Sequence, residues 1–286
     1  MLNFGLIWFA TDGAIPPAEL AVGLEERGFE SLFIAEHTHI PTSRKTPFLT
    51  GDDLPDMYWR CHDQFVALSM AAAATTTLKL GTGVTLVTEH DPNILAKQVA
   101  SLDVLSEGRL LFGIGAGWNA EEMEDHGVNF KDRWKVTRER VLAMREIWTK
   151  DEPEYHGAFV EFPPMWSWPK PLQKGGPPVL MGAYSKWTPA RIAEYCDGWL
   201  PIDGAGDMGR SLKEIEIAME AVGRSLSELD ITVLPEVSKK RGVDPSRFER
   251  MIESGANRVL LPMPDMNRDE SLGLLDEYVQ IITPFR

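Results

Sequence analysis

The sequence of 286 residues has little cysteine and no hydrophobic run that could cross a membrane. Its two cysteines, Cys61 and Cys196, lie far apart and in no metal-binding or redox motif, which excludes a disulfide framework. No stretch approaches the roughly 20 apolar residues of a membrane helix. The first residues also lack the basic segment that begins a signal peptide. These absences predict a cytoplasmic protein with reduced thiols and no membrane partner.

Positive charge is scarce as well. The 29 Lys and Arg residues are outnumbered by 43 Asp and Glu residues, which gives a net charge of −14. Nucleic-acid phosphates would be repelled, so nonspecific nucleic-acid binding is excluded. The composition, 43% hydrophobic and 25% charged, is ordinary for a globular protein. We therefore expect one domain over residues 1–286 with a large core.

Histidine is absent beyond His156, and this bears on the pair His37-Thr-His39. Metal-dependent hydrolases with a barrel fold use such a pair, but they need further histidine and carboxylate ligands. The later part of the chain offers no histidine, so no metal site is predicted. The sequence also lacks a Gly-x-Ser-x-Gly nucleophile motif and a P-loop.

The sequence does contain short apolar runs that alternate with segments of helical period. Strands buried on both faces of a parallel sheet have this continuously apolar character. Eight such runs are predicted as strands: Asn3–Phe9, Ser31–Ala35, Lys79–Val87, Arg109–Gly115, Pro178–Gly182, Gly198–Ile202, Asp230–Pro235 and Arg258–Pro262. Eight units of this kind predict an α/β fold, a single (β/α)8 TIM barrel, with an open doubly wound sheet as the alternative.

Two connections are too long for simple turns. Thr38–His62 follows the second predicted strand, and Lys150–Pro177 precedes the fifth. Insertions of this length are usually lids or binding loops, although a decorative insertion is the alternative. The tryptophans of the second insertion, Trp166 and Trp168, favour a covered pocket for a flat or apolar ligand.

Barrel enzymes place their chemistry at the C-terminal ends of the strands. His37 lies at such an end and titrates near neutrality, so it is a candidate acid/base group; a structural histidine bonded to a backbone carbonyl is the alternative. We expect Trp8, His39 and Trp166 to line the substrate pocket. The turn Gly182–Ser185 precedes a predicted helix, which is a natural phosphate site.

Glycines are concentrated in two neighbouring predicted strands. Gly81 and Gly83 belong to the third, and Gly113, Gly115 and Gly117 belong to the fourth or follow it. Glycine within a strand marks either the close approach of a ligand or tight packing inside the barrel, and both interpretations remain open here. A flat ligand, a phosphate site and one histidine together suggest a flavin-like cofactor.

Several motifs give the sequence a family resemblance: Ser31-Leu-Phe-Ile-Ala-Glu-His37, Leu80-Gly-Thr-Gly-Val84, Gly113-Ile-Gly-Ala-Gly-Trp-Asn119 and Pro178-Val-Leu-Met-Gly182. On these motifs, and over nearly its whole length, the chain resembles the bacterial luciferase-like superfamily of flavin- and deazaflavin-dependent (β/α)8 oxidoreductases. Within that superfamily it is most similar to the actinobacterial branch of F420-dependent oxidoreductases. The motif Trp166-Ser-Trp-Pro-Lys-Pro171 strengthens this resemblance.

The resemblance implies a cofactor, F420, with FMN as the alternative. The ring would stack on the third strand at Gly83–Val84, where the family has a non-prolyl cis peptide, and the Gly182–Ser185 turn would hold the phosphate. His37 would face the carbon that exchanges the hydride. The cofactor-binding residues implied in this way are Glu36, Gly83, Val84, Ala116, Gly117, Trp118, Asn119, Gly182, Ala183, Tyr184 and Ser185.

One position departs from the family's sugar-phosphate dehydrogenases, which carry a glutamate directly after the glycine of the fourth strand. Trp118 stands there in this chain, with Glu121 and Glu122 further along. We therefore do not expect a sugar phosphate as substrate. Trp118 instead suggests a more apolar substrate wall.

The expected function is hydride transfer between F420 and a small organic substrate, by a homodimer. The alternatives are an FMN-dependent monooxygenase supplied by a separate reductase, and a flavin-binding protein without turnover. F420 carries an anionic oligoglutamate tail that FMN lacks. We expect a basic rim to favour that tail, and its residues are Arg44, Lys45, Lys170, Lys174 and Lys186.

Overall fold

The computed structural model describes residues 2–49, 51, 53–236 and 243–286. Its strands are β1 (Asn3–Trp8), β2 (Ser31–Ile34), β3 (Lys79–Thr82), β4 (Thr85–Leu86), β5 (Leu110–Gly115), β6 (Tyr155–His156), β7 (Glu161–Phe162), β8 (Val179–Met181), β9 (Gly198–Trp199), β10 (Asp230–Val233) and β11 (Arg258–Met263). All but β6 and β7 form one parallel sheet in the order β3-β2-β1-β11-β10-β9-β8-β5-β4. Pairing of β3 with β5 closes this sheet, so the predicted (β/α)8 barrel is confirmed.

The third predicted strand is divided in two. β3 and β4 are separated by Gly83 and Val84, whose connecting peptide bond is cis, as the family resemblance implied. Both pieces pair with β5, so together they form one barrel strand. The division places residues 83 and 84 at the inner wall of the barrel, near its C-terminal end.

Helices follow the barrel strands around the outside. They are α1 (Pro17–Glu26), α2 (Met57–Arg60), α3 (Gln64–Ala74), α4 (Pro92–Leu105), α5 (Ala120–Asp125), α6 (Arg133–Thr149), α7 (Thr188–Tyr195), α8 (Met208–Glu220), α9 (Ser246–Glu253) and α10 (Arg268–Ile282). Asp91 caps α4 by accepting from the backbone N–H groups of Asn93 and Ile94. In the described part of the chain no helix is long and apolar enough to cross a membrane.

The two long insertions start at opposite ends of the barrel. Thr38–His62 leaves the C-terminal end of β2, contributes α2 and packs over the barrel mouth; Thr50 and Asp52 lie outside the described residues. Lys150–Pro177 follows α6, which runs antiparallel to the strands, so this insertion starts at the N-terminal end. Its Trp166 is 80% exposed. The expectation that its tryptophans cover the pocket is therefore wrong.

A buried ionic network closes the N-terminal end of the barrel. Arg258 begins β11 and is 1% exposed. Its guanidinium donates to Glu30, which precedes β2, at 2.5 and 2.7 Å, and to Asp230 of β10 at 3.1 Å. Although burial acts to raise it, hydrogen bonds and charge from Arg258 and Lys79 lower the pKa of Glu30 to about 2.

Removal of this arginine is expected to be costly. We expect Arg258→Met to lower the free energy of unfolding by about 3–5 kcal/mol, because it removes the buried cation from Asp230 and leaves Glu30 with Lys79 alone. The depressed pKa of Glu30 stabilises the fold fully above its unfolded pKa of about 4.3, and this contribution is lost as the pH falls towards 2. Between pH 6 and pH 3, the free energy of unfolding of Arg258→Met should therefore fall by less than that of the wild type.

Urea denaturation at both pH values measures these effects. The matched control is Arg268→Met, which removes an exposed pair with Glu19 and should lower the free energy of unfolding far less, because exposed ion pairs contribute little. Equal losses for the two variants would contradict the role assigned to Arg258.

Candidate active site

A cavity of about 360 Å³ opens at the C-terminal mouth of the barrel. Its wall is mostly apolar, and Glu36, His37, Tyr58 and Glu236 are among its polar side chains. The apolar lining includes Ile7, Phe9, Val84, Leu200, Pro262 and Met263. This size and composition are typical of a site for a small molecule or cofactor.

Eight of the predicted cofactor-binding and catalytic residues meet at this cavity: Glu36, His37, Gly83, Val84, Trp118, Gly182, Ala183 and Tyr184. Four predicted residues do not line it: Ala116, Gly117, Asn119 and Ser185. The chain turns away after β5, because Gly117 has a φ of +76° and packs beside Met123. Ser185 is used within its own turn, where its backbone N–H donates to the Thr188 hydroxyl.

The three residues expected in the substrate pocket lie elsewhere. Side chains alternate along a strand, so Ile7 and Phe9 face the cavity while Trp8 points into the outer core and is 1% exposed. His39 contacts Thr38 and Asp125 outside the cavity. Trp166 belongs to the second insertion, which starts at the other end of the barrel, and it is 80% exposed. None of these three side chains lines the cavity.

His37 is held by a carboxylate that sequence analysis left without a role. Its Nδ1 lies 2.8 and 3.0 Å from the two carboxylate oxygens of Glu122, and both side chains are at least 95% buried. Because the carboxylate only accepts, Nδ1 carries the proton and the other ring nitrogen, Nε2, is free to accept one. No described residue has a hydrogen bond to Nε2 in the structure. His37 thus presents a basic nitrogen at the cavity.

Glu36 is engaged by the protein itself. It accepts from the backbone N–H of Leu86 at 2.6 Å and from Nε2 of His90 at 2.8 Å. Burial acts to lower the pKa of His90, but the Glu36 carboxylate outweighs it and the pKa is raised. Glu36 therefore fixes β4 against β2 and leaves the acid/base role to His37.

Aromatic side chains from the first insertion wall the cavity. The Tyr58 ring packs at a tilt against Phe9, with 4.6 Å between ring centroids, and lies 5.1 Å from the His37 ring. Phe48 packs edge-on against Tyr58 and Trp118. Burial raises the pKa of Tyr58 to about 12, so its hydroxyl stays neutral. This wall excludes water from one side of His37.

Glu121 anchors that insertion to α5. It accepts from the backbone N–H of Thr46 at 2.9 Å and from the Thr46 hydroxyl. Although burial acts to raise it, these hydrogen bonds lower the pKa of Glu121 to about 2. Adjacent glutamates thus serve two purposes, with Glu121 holding the insertion and Glu122 holding His37.

The strand glycines are explained by packing inside the barrel. A Cβ at Gly81 would lie 2.3 Å from the Phe33 ring, and one at Gly113 would lie 2.0 Å from the Thr82 carbonyl oxygen. These contacts favour the packing interpretation over close approach of a ligand.

Val84 fills the space left by two further glycines. A Cβ at Gly115 or at Gly182 would lie 2.7 Å from one of its methyl groups. A Cβ at Gly83 would meet Ile7 Cδ1 at 2.4 Å. Val84, Gly83 and Gly182 also line the cavity, so the same packing shapes its floor.

The predicted basic rim is mostly dispersed. Lys170 donates to the carbonyls of Ile147 and Lys150, and Lys174 lines a cleft at the N-terminal end beside Pro178. Arg44 remains near the mouth, with its guanidinium 6.0 Å from the centre of the Trp118 ring.

Sequence analysis missed Glu89, His90 and Tyr58, and it noted Glu122 only as a neighbour of Trp118. The signal for Glu122 was its place in the first turn of a helix that follows directly on a barrel strand. Such a side chain lies at the mouth by position alone. In the described residues, no group of three or more His, Cys, Asp or Glu side chains could hold a metal ion.

The described residues form a (β/α)8 barrel with a largely apolar cavity at its mouth, and His37 lines that cavity. Residues 16–241 match the profile of the family described as Luciferase-like monooxygenase, and the chain belongs to this family of oxidoreductases. Similar proteins include an uncharacterized protein of Mycobacterium tuberculosis, 38% identical over 96% of both chains.

A more distant relative is an F420-dependent glucose-6-phosphate dehydrogenase of Amycolatopsis mediterranei, 24% identical over 78% of this chain and 65% of its own. Among solved structures, the coenzyme F420-dependent tetrahydromethanopterin reductase of Methanopyrus kandleri superposes with a TM-score of 0.74. That likeness covers 99% of both chains at 18% identity and supports the barrel fold.

The packing of Val84 can be tested by a double-variant cycle. We expect Gly115→Ala to lower the free energy of unfolding by about 1–3 kcal/mol, because the new methyl group overlaps Val84 Cγ2. Adding Val84→Ala removes that methyl group and should recover most of the loss. Urea denaturation of the two single variants and the double variant measures the coupling. Additive losses would show that the two positions do not share the space.

Proposed function

We propose that the protein is an F420-dependent oxidoreductase that transfers a hydride between F420 and a small organic substrate. The observation that carries the proposal is the His37–Glu122 pair, which presents one basic nitrogen at a largely apolar cavity. Oxidation of an alcohol or reduction of a carbonyl needs a proton and a hydride to move separately, and a positioned histidine suits the proton. The small alcohol and carbonyl compounds are therefore the substrate class to test first.

The cavity suits a cofactor with a flat ring. Ile7, Val84 and Leu200 form an apolar floor, and Gly182–Tyr184 lines one side just before α7 begins. The N-terminal end of a helix favours a phosphate group, so a ribityl phosphate fits that side. When bound, F420 supplies the hydride acceptor or donor.

The chain's own part of the reaction follows from its contacts. His37 Nε2 accepts the hydroxyl proton of an alcohol, or donates a proton to a carbonyl in the reverse direction. The Glu122 carboxylate stabilises the imidazolium that forms and fixes the orientation of the ring. Trp118, Tyr58 and Phe9 exclude water, which strengthens these interactions.

FMN is the second candidate cofactor. It shares the ribityl phosphate with F420, and the family as a whole is described by a monooxygenase name. The anionic tail of F420 favours a site with Arg44 near its mouth, so F420 comes first. The buried His37–Glu122 pair argues against a flavin-binding protein without turnover, which would need no acid/base group. A homodimer in the cytoplasm is part of this proposal.

Cofactor titration tests the choice. We expect F420 to bind at least about tenfold more tightly than FMN, a difference of about 1.4 kcal/mol, owing to its charged tail. The preference should shrink at high salt because exposed charges are screened. Quenching of tryptophan fluorescence measures both affinities.

Two tryptophans provide the matched control. Trp118 lines the cavity and Trp166 does not, so Trp118→Phe should remove much of the quenching while Trp166→Phe leaves it unchanged. Equal affinities, or tighter binding of FMN, would refute the F420 assignment.

Turnover tests the role of His37. We expect His37→Ala to lower kcat by about 10²–10⁴, the usual contribution of a positioned acid/base group, with little loss of cofactor affinity. His37→Gln keeps a hydrogen-bond donor without the titration and should be similarly slow. The measurement is the loss of F420 absorbance with a panel of small secondary alcohols. A wild-type rate for His37→Ala would make this histidine structural.

A further inference from the structure

Tyr58 places a hydroxyl group at the main cavity beside His37. Its side chain is buried, and its ring packs against Phe9, Phe48, Trp118 and the His37 ring. In the part of the chain that the structure describes, no residue forms a hydrogen bond with the Tyr58 hydroxyl. A buried hydroxyl group without a partner costs free energy. A bound molecule that accepts from this hydroxyl would remove that cost.

Two other tyrosines lack this arrangement. Tyr184 also lines the cavity, but its hydroxyl donates to the Asp207 carbonyl oxygen at 3.3 Å and accepts from the Ser211 hydroxyl at 3.1 Å. The Tyr195 hydroxyl has no partner among the described residues, but it is completely enclosed by the core. The Tyr58 hydroxyl is not enclosed in this way, so a molecule in the cavity can reach it.

The backbones of Tyr58 and His37 are tied together by Cys61. The Cys61 thiol lies 3.4 Å from the carbonyl oxygen of His37 and 3.7 Å from that of Tyr58. Cys61 also forms an antiparallel bridge with Thr11, which attaches the end of α2 to the segment that follows β1. The first insertion therefore presents Tyr58 from a fixed position, as the alignment of a reacting group requires.

Tyr58 and His37 offer opposite hydrogen-bonding capacities. Burial raises the pKa of Tyr58 to about 12, so its hydroxyl keeps its proton and donates. Nε2 of His37 accepts, because Nδ1 carries the proton that is donated to Glu122. The two ring centres are 5.1 Å apart, which is comparable with the span of two hydrogen bonds of about 2.8 Å each to one shared atom. An alcohol oxygen both donates and accepts, so it matches this pair.

We propose that Tyr58 is a second catalytic residue, which donates a hydrogen bond to the substrate oxygen while His37 exchanges a proton with that oxygen. The proposal rests on the proposed function. In alcohol oxidation the O–H proton passes to His37 Nε2, the C–H bond breaks, its hydrogen and electron pair pass to F420 as hydride, and the C=O bond forms. Tyr58 keeps its proton throughout. Its hydrogen bond strengthens as negative charge develops on the oxygen, so it stabilises the transition state more than the bound substrate.

The same hydrogen bond selects among substrates of similar shape. A hydroxyl group or a carbonyl oxygen can accept it, whereas an ammonium group has donors only. A site with a buried donor discriminates against a ligand that leaves this donor unpaired. Tyr58 therefore favours alcohols and carbonyl compounds over amines.

Turnover of Tyr58→Phe tests the hydrogen bond, because phenylalanine keeps the ring and its packing and removes only the hydroxyl group. With 2-butanol as substrate we expect kcat to fall by about 10²–10³, the usual effect of removing one such donor, while KM changes little. The pH dependence of kcat should stay that of the wild type, since Tyr58 transfers no proton.

The matched control is Tyr195→Phe, which removes a hydroxyl group away from the cavity and should keep the wild-type rate. A wild-type rate for Tyr58→Phe would show that only its ring matters and overturns the proposal. A changed pH dependence in Tyr58→Phe overturns it as well, because Tyr58 would then transfer the proton itself.

Infrared spectroscopy of a bound ketone tests the contact without turnover. Oxidised F420 and a ketone cannot oxidise or reduce each other, so the protein can be studied with both bound, using 2-butanone labelled with ¹³C at the carbonyl. A donated hydrogen bond lowers the C=O stretching frequency. The band should therefore lie at lower frequency in the wild type and in Tyr195→Phe than in Tyr58→Phe. Equal frequencies in the wild type and Tyr58→Phe overturn the proposal.

The ketone measurement also covers a variant that does not fold. A wild-type band at the frequency of the same ketone in hexane shows that no hydrogen bond is donated, and this overturns the proposal without any variant. Failure of the proposed function would appear differently, as a wild type that does not bind F420 or does not reduce it with any alcohol. The ketone band of the cofactor-free protein then still decides the contact, and a ketone that binds neither form overturns it.

Discussion

The hydrogen bond between His37 and Glu122 is the interaction on which the site depends. It joins the end of β2 to α5, which follows β5, so it spans two strands that are not neighbours in the barrel. The cost of burying Glu122 is offset only while His37 donates to it. Loss of Glu122 would therefore free the His37 ring and leave its N–H donor unpaired. Loss of His37 would leave the buried Glu122 carboxylate unpaired. The aromatic wall around Tyr58 keeps this pair away from water.

The fold was predictable because the barrel repeats one simple pattern. Each strand is buried on both faces and reads as an apolar run, and signals such as Asp91-Pro92 and Gly28 mark where helices begin and end. His37 was found for the same reason, because its position follows from the strand that carries it. Val84 was implied by the family resemblance instead.

The errors concern residues whose position depends on direction or on packing between distant segments. Trp8 was misplaced because a one-residue shift along a strand moves a side chain to the opposite face. Trp166 was misplaced because its insertion leaves a helix rather than a strand. Glu122 gained its importance only when α5 and the end of β2 came together. Sequence spacing carries no information about that contact.

The packing of Val84 between two glycines also limits how this barrel can change. The valine extends from the split third strand across β5 towards β8, where Gly115 and Gly182 leave room for its methyl groups. The side chains at positions 84, 115 and 182 therefore occupy one limited space between three strands. An exchange to a larger residue at 115 or 182 is tolerated only with a smaller one at 84. Natural variants of this cavity floor should change these positions together, with their summed volume nearly constant.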